Sequence, residues 1–302
     1  MHWELRTRRL ELGQRTLIMG VLNVTPDSFS DGGLDQSVAE AIDRGVRLLR
    51  EGADILDIGG ESTRPGAKVA GTPGLAGAVT AEEECRRILP VIEGVLNVRP
   101  NAVISVDTYK AWVARRAVQA GAEIVNDVSG LRWDKAMAAT VAELGCGVVI
   151  MHTRGVPSEW RDLPPEPNIV EVVKRELQER VSDAEKVGVQ RERIVLDPGF
   201  GFGKNFEENM PLLARFEEFK ELGFPLLAGT SRKSFLGRVV AQRRSEIVGE
   251  KVIDLGPSHR LVGTIASNVI AAMKGAAIVR VHDVPEGVDA MALVDGLRAH
   301  RS

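Results

Sequence analysis

Three short polar side chains, Asp107, Asn126 and Asp197, each close a different apolar run of the chain. Carboxylates take the N–H donors of a planar heterocycle and an amide serves a mixed donor and acceptor edge, so together they suit such a ring. Singly, each reads as a turn or helix-capping residue, and Asp197-Pro198-Gly199 is a good turn sequence. Their joint placement favours a site. After a further run, Gly229 to Ser234 (GTSRKS) sets Arg232 and Lys233 among hydroxyls, a setting for an anionic or heteroaromatic ligand. Arg280 and His282 alternate along another run and face one side. Two groups able to carry positive charge suit a phosphate, the plain alternative being rim salt bridges with Asp283 or Glu286. The segment 23–33 (NVTPDSFSDGG) is a turn-rich loop whose Asn23, Asp27 and Asp31 are hard oxygen donors. Mg²⁺ takes such donors alongside substrate phosphates. A second long loop opens at Glu61 to Gly66 (ESTRPG) and continues through a Gly- and Ala-rich stretch, 68–79, expected to be mobile.

Two other signals are set aside. Pro198 to Lys204 (PGFGFGK) looks like a phosphate-cradling loop, but Pro198 stands where a Walker loop needs Gly and Asn205 where it needs Ser or Thr. Its glycines are expected to make a tight, closely approaching turn. His152 has no metal-ligand partner at a standard spacing and is expected to be a structural strand-end histidine.

The elements that must carry these residues follow from the apolar runs. Eight are of strand length: 17–24, 54–58, 102–106, 123–126, 147–151, 194–196, 224–228 and 277–281. They read as continuously apolar, as buried parallel strands do. Between them, segments such as 38–50, 82–95 and 169–187 carry apolar residues at helical spacing with charges interspersed. Alternating strands and helices form either an open doubly wound sheet or a closed barrel. Every run ends in a polar cluster, whereas an open sheet gathers its ligand groups mainly at one switch point. The expectation is therefore an α/β fold, a (β/α)8 TIM barrel spanning 1–302 as one domain, its site at the C-terminal strand ends. Trp3 to Leu12, ending in Gly13, is expected to form a short N-terminal β-hairpin across the barrel bottom.

With 302 residues, 44% hydrophobic and 27% charged, the composition is that of a globular protein. A formal charge of -3 argues against nucleic acid or an anionic membrane as partner. No run approaches membrane-span length and the first residues lack a signal-peptide pattern, so a cytoplasmic protein is expected. The two cysteines, Cys85 and Cys146, are expected to be reduced structural thiols.

Taken together, GVLNVTPDSFSDGG (20–33), DIGGESTRPGA (57–67), VDTYK (106–110), NDVSG (126–130), LDPGFGFGK (196–204), GTSRKSFLG (229–237) and RVHDV (280–284) resemble the dihydropteroate synthase family, over nearly the whole chain. The resemblance implies a transferase of folate biosynthesis, the target class of sulfonamides. It would condense 6-hydroxymethyl-7,8-dihydropterin diphosphate with 4-aminobenzoate to give 7,8-dihydropteroate and pyrophosphate, assisted by Mg²⁺. It further implies pterin contacts at Asp107, Asn126, Met151, Asp197 and Lys233, and diphosphate contacts at Thr63, Arg280 and His282. The aminobenzoate pocket would comprise Thr63, Arg64, Pro65, Phe202, Lys233 and Ser234. Asn23 would be the Mg²⁺ ligand and Asp31 its loop partner, with Asp107, Asp197, Lys233 and Asp31 the catalytic set; a homodimer is also implied. Thr153, where the family usually has Met, and the long stretch 68–79 depart from the pattern. The rival expectations are a methyltetrahydrofolate-dependent corrinoid methyltransferase, which needs no diphosphate site, and a non-catalytic pterin-binding module.

Overall fold

The structure, a computed structural model, describes residues 1–24, 33–62, 78–254 and 256–300, with backbone alone for 33–36. An antiparallel hairpin of β1 (His2–Glu4) and β2 (Arg9–Glu11) pairs Trp3 with Leu10. Eight parallel strands follow: β3 (Leu17–Asn23), β4 (Ile55–Gly59), β5 (Val103–Asp107), β6 (Ile124–Asp127), β7 (Gly147–Met151), β8 (Ile194–Asp197), β9 (Leu227–Ala228) and β10 (Ile278–Val281). They alternate with α1 (Gly33–Arg50), α2 (Ala81–Val98), α3 (Ala111–Gln119), α4 (Met137–Leu144), α5 (Ile169–Lys186), α6 (Phe206–Ala214), α7 (Ser234–Val248), α8 (Leu261–Met273) and α9 (Val284–Ala299).

The strand order is β8-β7-β6-β5-β4-β3-β10-β9. The two ends meet where Leu196 bridges Leu226 and its N–H donates to Pro225 O at 2.9 Å, completing the expected (β/α)8 barrel. This seam is narrower than the run 224–228 suggests, because β9 has only two residues. Pro225 can accept but not donate, so the first half of the run cannot sustain a ladder.

The period of two in each strand separates two apolar layers. Ile18, Leu22, Leu56, Ile58, Ile104, Val106, Val148, Ile150, Leu196, Val279 and Val281 pack outward with the helices. Leu17, Met19, Ile55, Val103, Ile124, Val149, Val195, Leu227 and Ile278 point inward and pack with Trp3, Leu5 and Leu12 of the hairpin segment. Trp3 is fully buried and its Nε1 donates to Arg193 O at 2.7 Å, so the hairpin plugs the barrel floor as expected. Gly147 makes room for the plug: a Cβ there would lie 2.7 Å from the Leu5 side chain.

One or two alternations further along, the inward column turns polar. It holds Asp57 and Ser105 within their strands and Asn23, Asp107, Asn126, Asp197 and Arg280 toward the C-terminal ends, with Met151 as an apolar neighbour. An apolar floor beneath a polar mouth is the arrangement that positions the site.

Candidate active site

At the mouth the charges are organised around one guanidinium. Arg280 on β10 donates from Nε to Asp57 Oδ2 at 2.6 Å and from Nη2 to Asp107 Oδ2 at 2.7 Å. The Asn126 amide donates to the same Asp57 oxygen at 2.9 Å. The plain alternative of salt bridges thus holds for Arg280 in kind, with partners on β4 and β5 in place of Asp283 or Glu286. Burial raises the Asp107 pKa, opposed by Arg280 and reinforced by the like charges of Asp57, Glu84 and Asp127. Asp57 is fully buried and was not singled out from the sequence. Its signal lay in the run ILDIG, where it is the one charged residue and shares the inward parity of Ile55.

Asp197 closes β8, with Oδ1 accepting from Gly199 N–H at 2.7 Å. Burial pushes its carboxyl up to about 6, against the Gly199 N–H and the Lys233 charge, which lower it. The turn that follows is built by glycine, as expected. Gly199 has φ +71, and a Cβ there would lie 1.9 Å from His152 O. Lys204 is buried beneath the turn and donates to Gly199 O at 2.7 Å, His152 O at 3.1 Å and Phe202 O at 3.2 Å. From the other side, Arg180 of α5 donates to Met151 O at 2.5 Å and Thr153 O at 2.8 Å. Neither cation was identified from the sequence: Lys204 closes a glycine-rich run, while Arg180 shares the apolar face of α5 with Val173, Leu177 and Ala184. His152 is wholly buried with Nε2 3.2 Å from Glu176, and burial together with Lys204 and Arg180 holds its ring neutral. It serves the scaffold.

Lys233 stands 3.9 Å over the Phe202 ring. Burial and Arg280 push its amine down to about 8, while Asp197 and Asp107 pull the other way. Its neighbour Arg232 adopts the left-handed region (φ 59) and is held there from three sides. Its N–H donates to Thr264 at 2.9 Å, its O accepts from Arg260 at 2.8 Å, and its guanidinium pairs with Asp283 at 3.0 Å. Ser234 is the exposed first residue of α7. Met151 is buried with Tyr109 and Val128, and Trp133, Val156 and Phe202 pack against them as an apolar wall beside the polar groups.

His282, the second group expected at the anion site and one whose charge the sequence leaves open, stands beside three cations. Its Nδ1 lies 3.0 Å from the Ser231 hydroxyl, and burial beside Arg280, Arg232 and Lys233 pushes it down to about 3. The Ser231 oxygen accepts the His282 backbone N–H at 3.2 Å and can give its own proton to Nδ1, which matches the tautomer with the ring proton on Nε2. In that tautomer His282 is a neutral donor.

Asn23 ends β3 partly buried, in register with Gly59, which in turn pairs with Asp107. Asp27, Asp31, Thr63, Arg64 and Pro65, and most of the stretch 68–79, lie outside the described residues. Among the described residues, no three His, Cys, Asp or Glu side chains are grouped to hold a metal ion, and no helix is long and apolar enough to cross a membrane. Glu61, at the edge of the described chain, is paired with Lys110 at 2.7 Å, and Lys110 also binds Glu84. Thr153 is buried with Oγ1 unpartnered among the described residues. Both cysteines are free and buried, their thiols pushed up by burial to about 11 for Cys85 and about 12 for Cys146.

Residues 19–282 match the family described as Pterin binding enzyme. The chain is 43% identical over 278 residues to the dihydropteroate synthase of Escherichia coli (strain K12), covering 92% of this chain and 90% of that one. A dihydropteroate synthase of Xanthomonas albilineans, solved with 4-aminobenzoic acid, superposes with a TM-score of 0.83 at 43% identity, over 99% of this chain and 98% of that one. The Yersinia pestis enzyme, solved with a sulfonamide drug, gives 0.85 at 38% identity, over 99% and 100%. The chain belongs to the pterin binding enzyme family, within its dihydropteroate synthases, which are transferases of folate biosynthesis.

Proposed function

We propose that this chain joins 4-aminobenzoate to 6-hydroxymethyl-7,8-dihydropterin diphosphate, forming 7,8-dihydropteroate and releasing pyrophosphate. The observation that carries the reading is the linked set Asp107, Asp57, Arg280 and Asn126, with Asp197 and Lys233 on adjacent strand ends. Breaking the carbon–oxygen bond puts positive charge on the pterin methylene and negative charge on the leaving diphosphate. The mouth offers both complements: Asp107 and Asp197 accept the ring's N–H groups, while Arg280 and the Nε2–H of His282 face the anion. Such charges, fixed before reaction, act where charge develops.

In this reading Asn126 takes the mixed edge of the ring, Met151 lies against its face, and Lys233 donates to a ring acceptor. Lys233 and Phe202 then form a wall between pterin and aminobenzoate, with Ser234, Thr63, Arg64 and Pro65 completing the second pocket. The aminobenzoate nitrogen bonds to the methylene carbon as the carbon–oxygen electron pair leaves with the diphosphate, and the amine proton passes to solvent. Asn23 offers a single neutral hard oxygen, a donor set that fits Mg²⁺ sharing its coordination with water and diphosphate. Bound there with Asp31 nearby, Mg²⁺ would neutralise charge on the leaving group. The second copy of a homodimer would cover α7 to α9, where Val262 (79% exposed), Leu293 (74%) and Ile247 (69%) leave apolar surface uncovered. We place the protein in the cytoplasm.

The test is pyrophosphate release from dihydropterin diphosphate and Mg²⁺, with and without 4-aminobenzoate. Release that depends on aminobenzoate and is abolished by chelation supports the reading; pterin binding without turnover would replace it with the non-catalytic module.

A further inference from the structure

The polar groups of the mouth are not held independently. One oxygen of Asp57, Oδ2, accepts both from Arg280 Nε at 2.6 Å and from Asn126 Nδ2 at 2.9 Å. A carboxylate can only accept, so it also dictates which end of the Asn126 amide faces it. The amide oxygen is thereby turned away from Asp57. The guanidinium is likewise fixed in its plane, with Nε on Asp57 and Nη2 on Asp107, while Nη1 has no partner among the described residues. Asp57 itself is wholly buried, one alternation below the strand-end residues, and presents no exposed surface to the mouth. Its second oxygen, Oδ1, is buried without a partner among the described residues, a cost that filling space would not require.

We propose that Asp57 is a positioning residue for the condensation, fixing through one carboxylate oxygen both the guanidinium that takes the diphosphate and the amide that takes the pterin ring. Ring and leaving group are then held in one relation to each other by a side chain that touches neither. The proposal rests on the reading of Arg280 and Asn126 given above, and the experiment separates the two.

Binding of two probes is measured by calorimetry in magnesium buffer: inorganic pyrophosphate for the anion site and 6-hydroxymethylpterin for the ring site. Steady-state kinetics are run alongside. Asp57→Asn should loosen both probes about tenfold, as expected for weakened charge-assisted hydrogen bonds. Its kcat should fall about 100-fold, the scale of a reacting group misplaced by an ångström. Arg280→Met should affect chiefly pyrophosphate and Asn126→Ala chiefly the pterin. Adding Asp57→Asn to Arg280→Met should cost no further pyrophosphate affinity, because Asp57 acts on the anion only through Arg280, yet should still loosen the pterin. That double variant removes the buried charges as a pair and keeps the test available if Asp57→Asn alone does not fold. Wild-type binding of both probes and wild-type kcat in Asp57→Asn overturn the proposal, as does equal pterin affinity in Arg280→Met with and without Asp57→Asn. Undiminished pyrophosphate binding in Arg280→Met itself overturns instead the reading of Arg280, and the anion half of the proposal with it.

Discussion

Replacing Lys204 with Met should destabilise the protein and loosen the Phe202 turn together. The amine sits beneath residues 199–203 and donates to three carbonyls, at 2.7, 3.1 and 3.2 Å. Three acceptors match the three N–H groups of an ammonium, although burial and Arg180 pull the amine well below the ordinary lysine range. Of the three, only the His152 carbonyl would be left without a donor, at about 1 to 3 kcal/mol, because Gly199 O also accepts from Phe202 N–H at 3.3 Å and Phe202 O from Arg154 N–H at 3.5 Å. Against this, Met removes an amine that burial already penalises, which offsets part of the cost. The net loss is about 1 to 2 kcal/mol. At about 2 °C per kcal/mol for a chain of this length, the thermal midpoint should fall by about 2 to 4 °C. Thermal unfolding followed by circular dichroism reads the first effect. Steady-state kinetics read the second, as an aminobenzoate KM raised about tenfold, because Phe202 loses its backbone support. A midpoint no lower than that of the wild type would refute the accounting: the His152 carbonyl would then be satisfied without the lysine, and the turn would stand on its glycines and backbone hydrogen bonds.

Two further outcomes are expected. The pH profile of kcat/KM for the pterin substrate should be bell-shaped. It should rise as Asp197, at about 6, and Asp107, also raised, lose their protons, and fall as Lys233, at about 8, loses its charge. Lys233→Arg should remove the basic limb; a limb that stays assigns it to another group. Trp3→Ala should cost about 3 to 5 kcal/mol, since it empties the barrel floor and orphans Arg193 O. Denaturant unfolding measures this, and an unchanged midpoint would mean that the hairpin does not seal the floor.

The strand ends were legible because a polar residue stops an apolar run, a contrast visible one strand at a time. Asp107, Asn126 and Asp197 stand at such stops. Asp57 does not: Ile58 and Gly59 follow it within the strand, and only the inward parity shared with Ile55 betrays its place. Arg180 was hidden differently. It lies 29 residues beyond the Met151 carbonyl it binds, on a helix whose charges otherwise face water. The neutrality of His282 was equally invisible, because it depends on burial and on the nearness of Arg280, with Arg232 and Lys233 added from the preceding βα unit, none of which a single strand shows. Pro225, by contrast, carried a readable warning that the seventh barrel strand would be short.

The hydrogen bond from Trp3 to Arg193 spans 190 residues of sequence. A ribosome builds the hairpin first and the strand that receives it much later, so the tryptophan must wait, unburied, while six barrel strands are made. Long-range closure of this kind is slow. The floor is therefore completed late: beyond β8 it still awaits Leu227 of β9 and Ile278 of β10, which pack with Trp3 in the same layer.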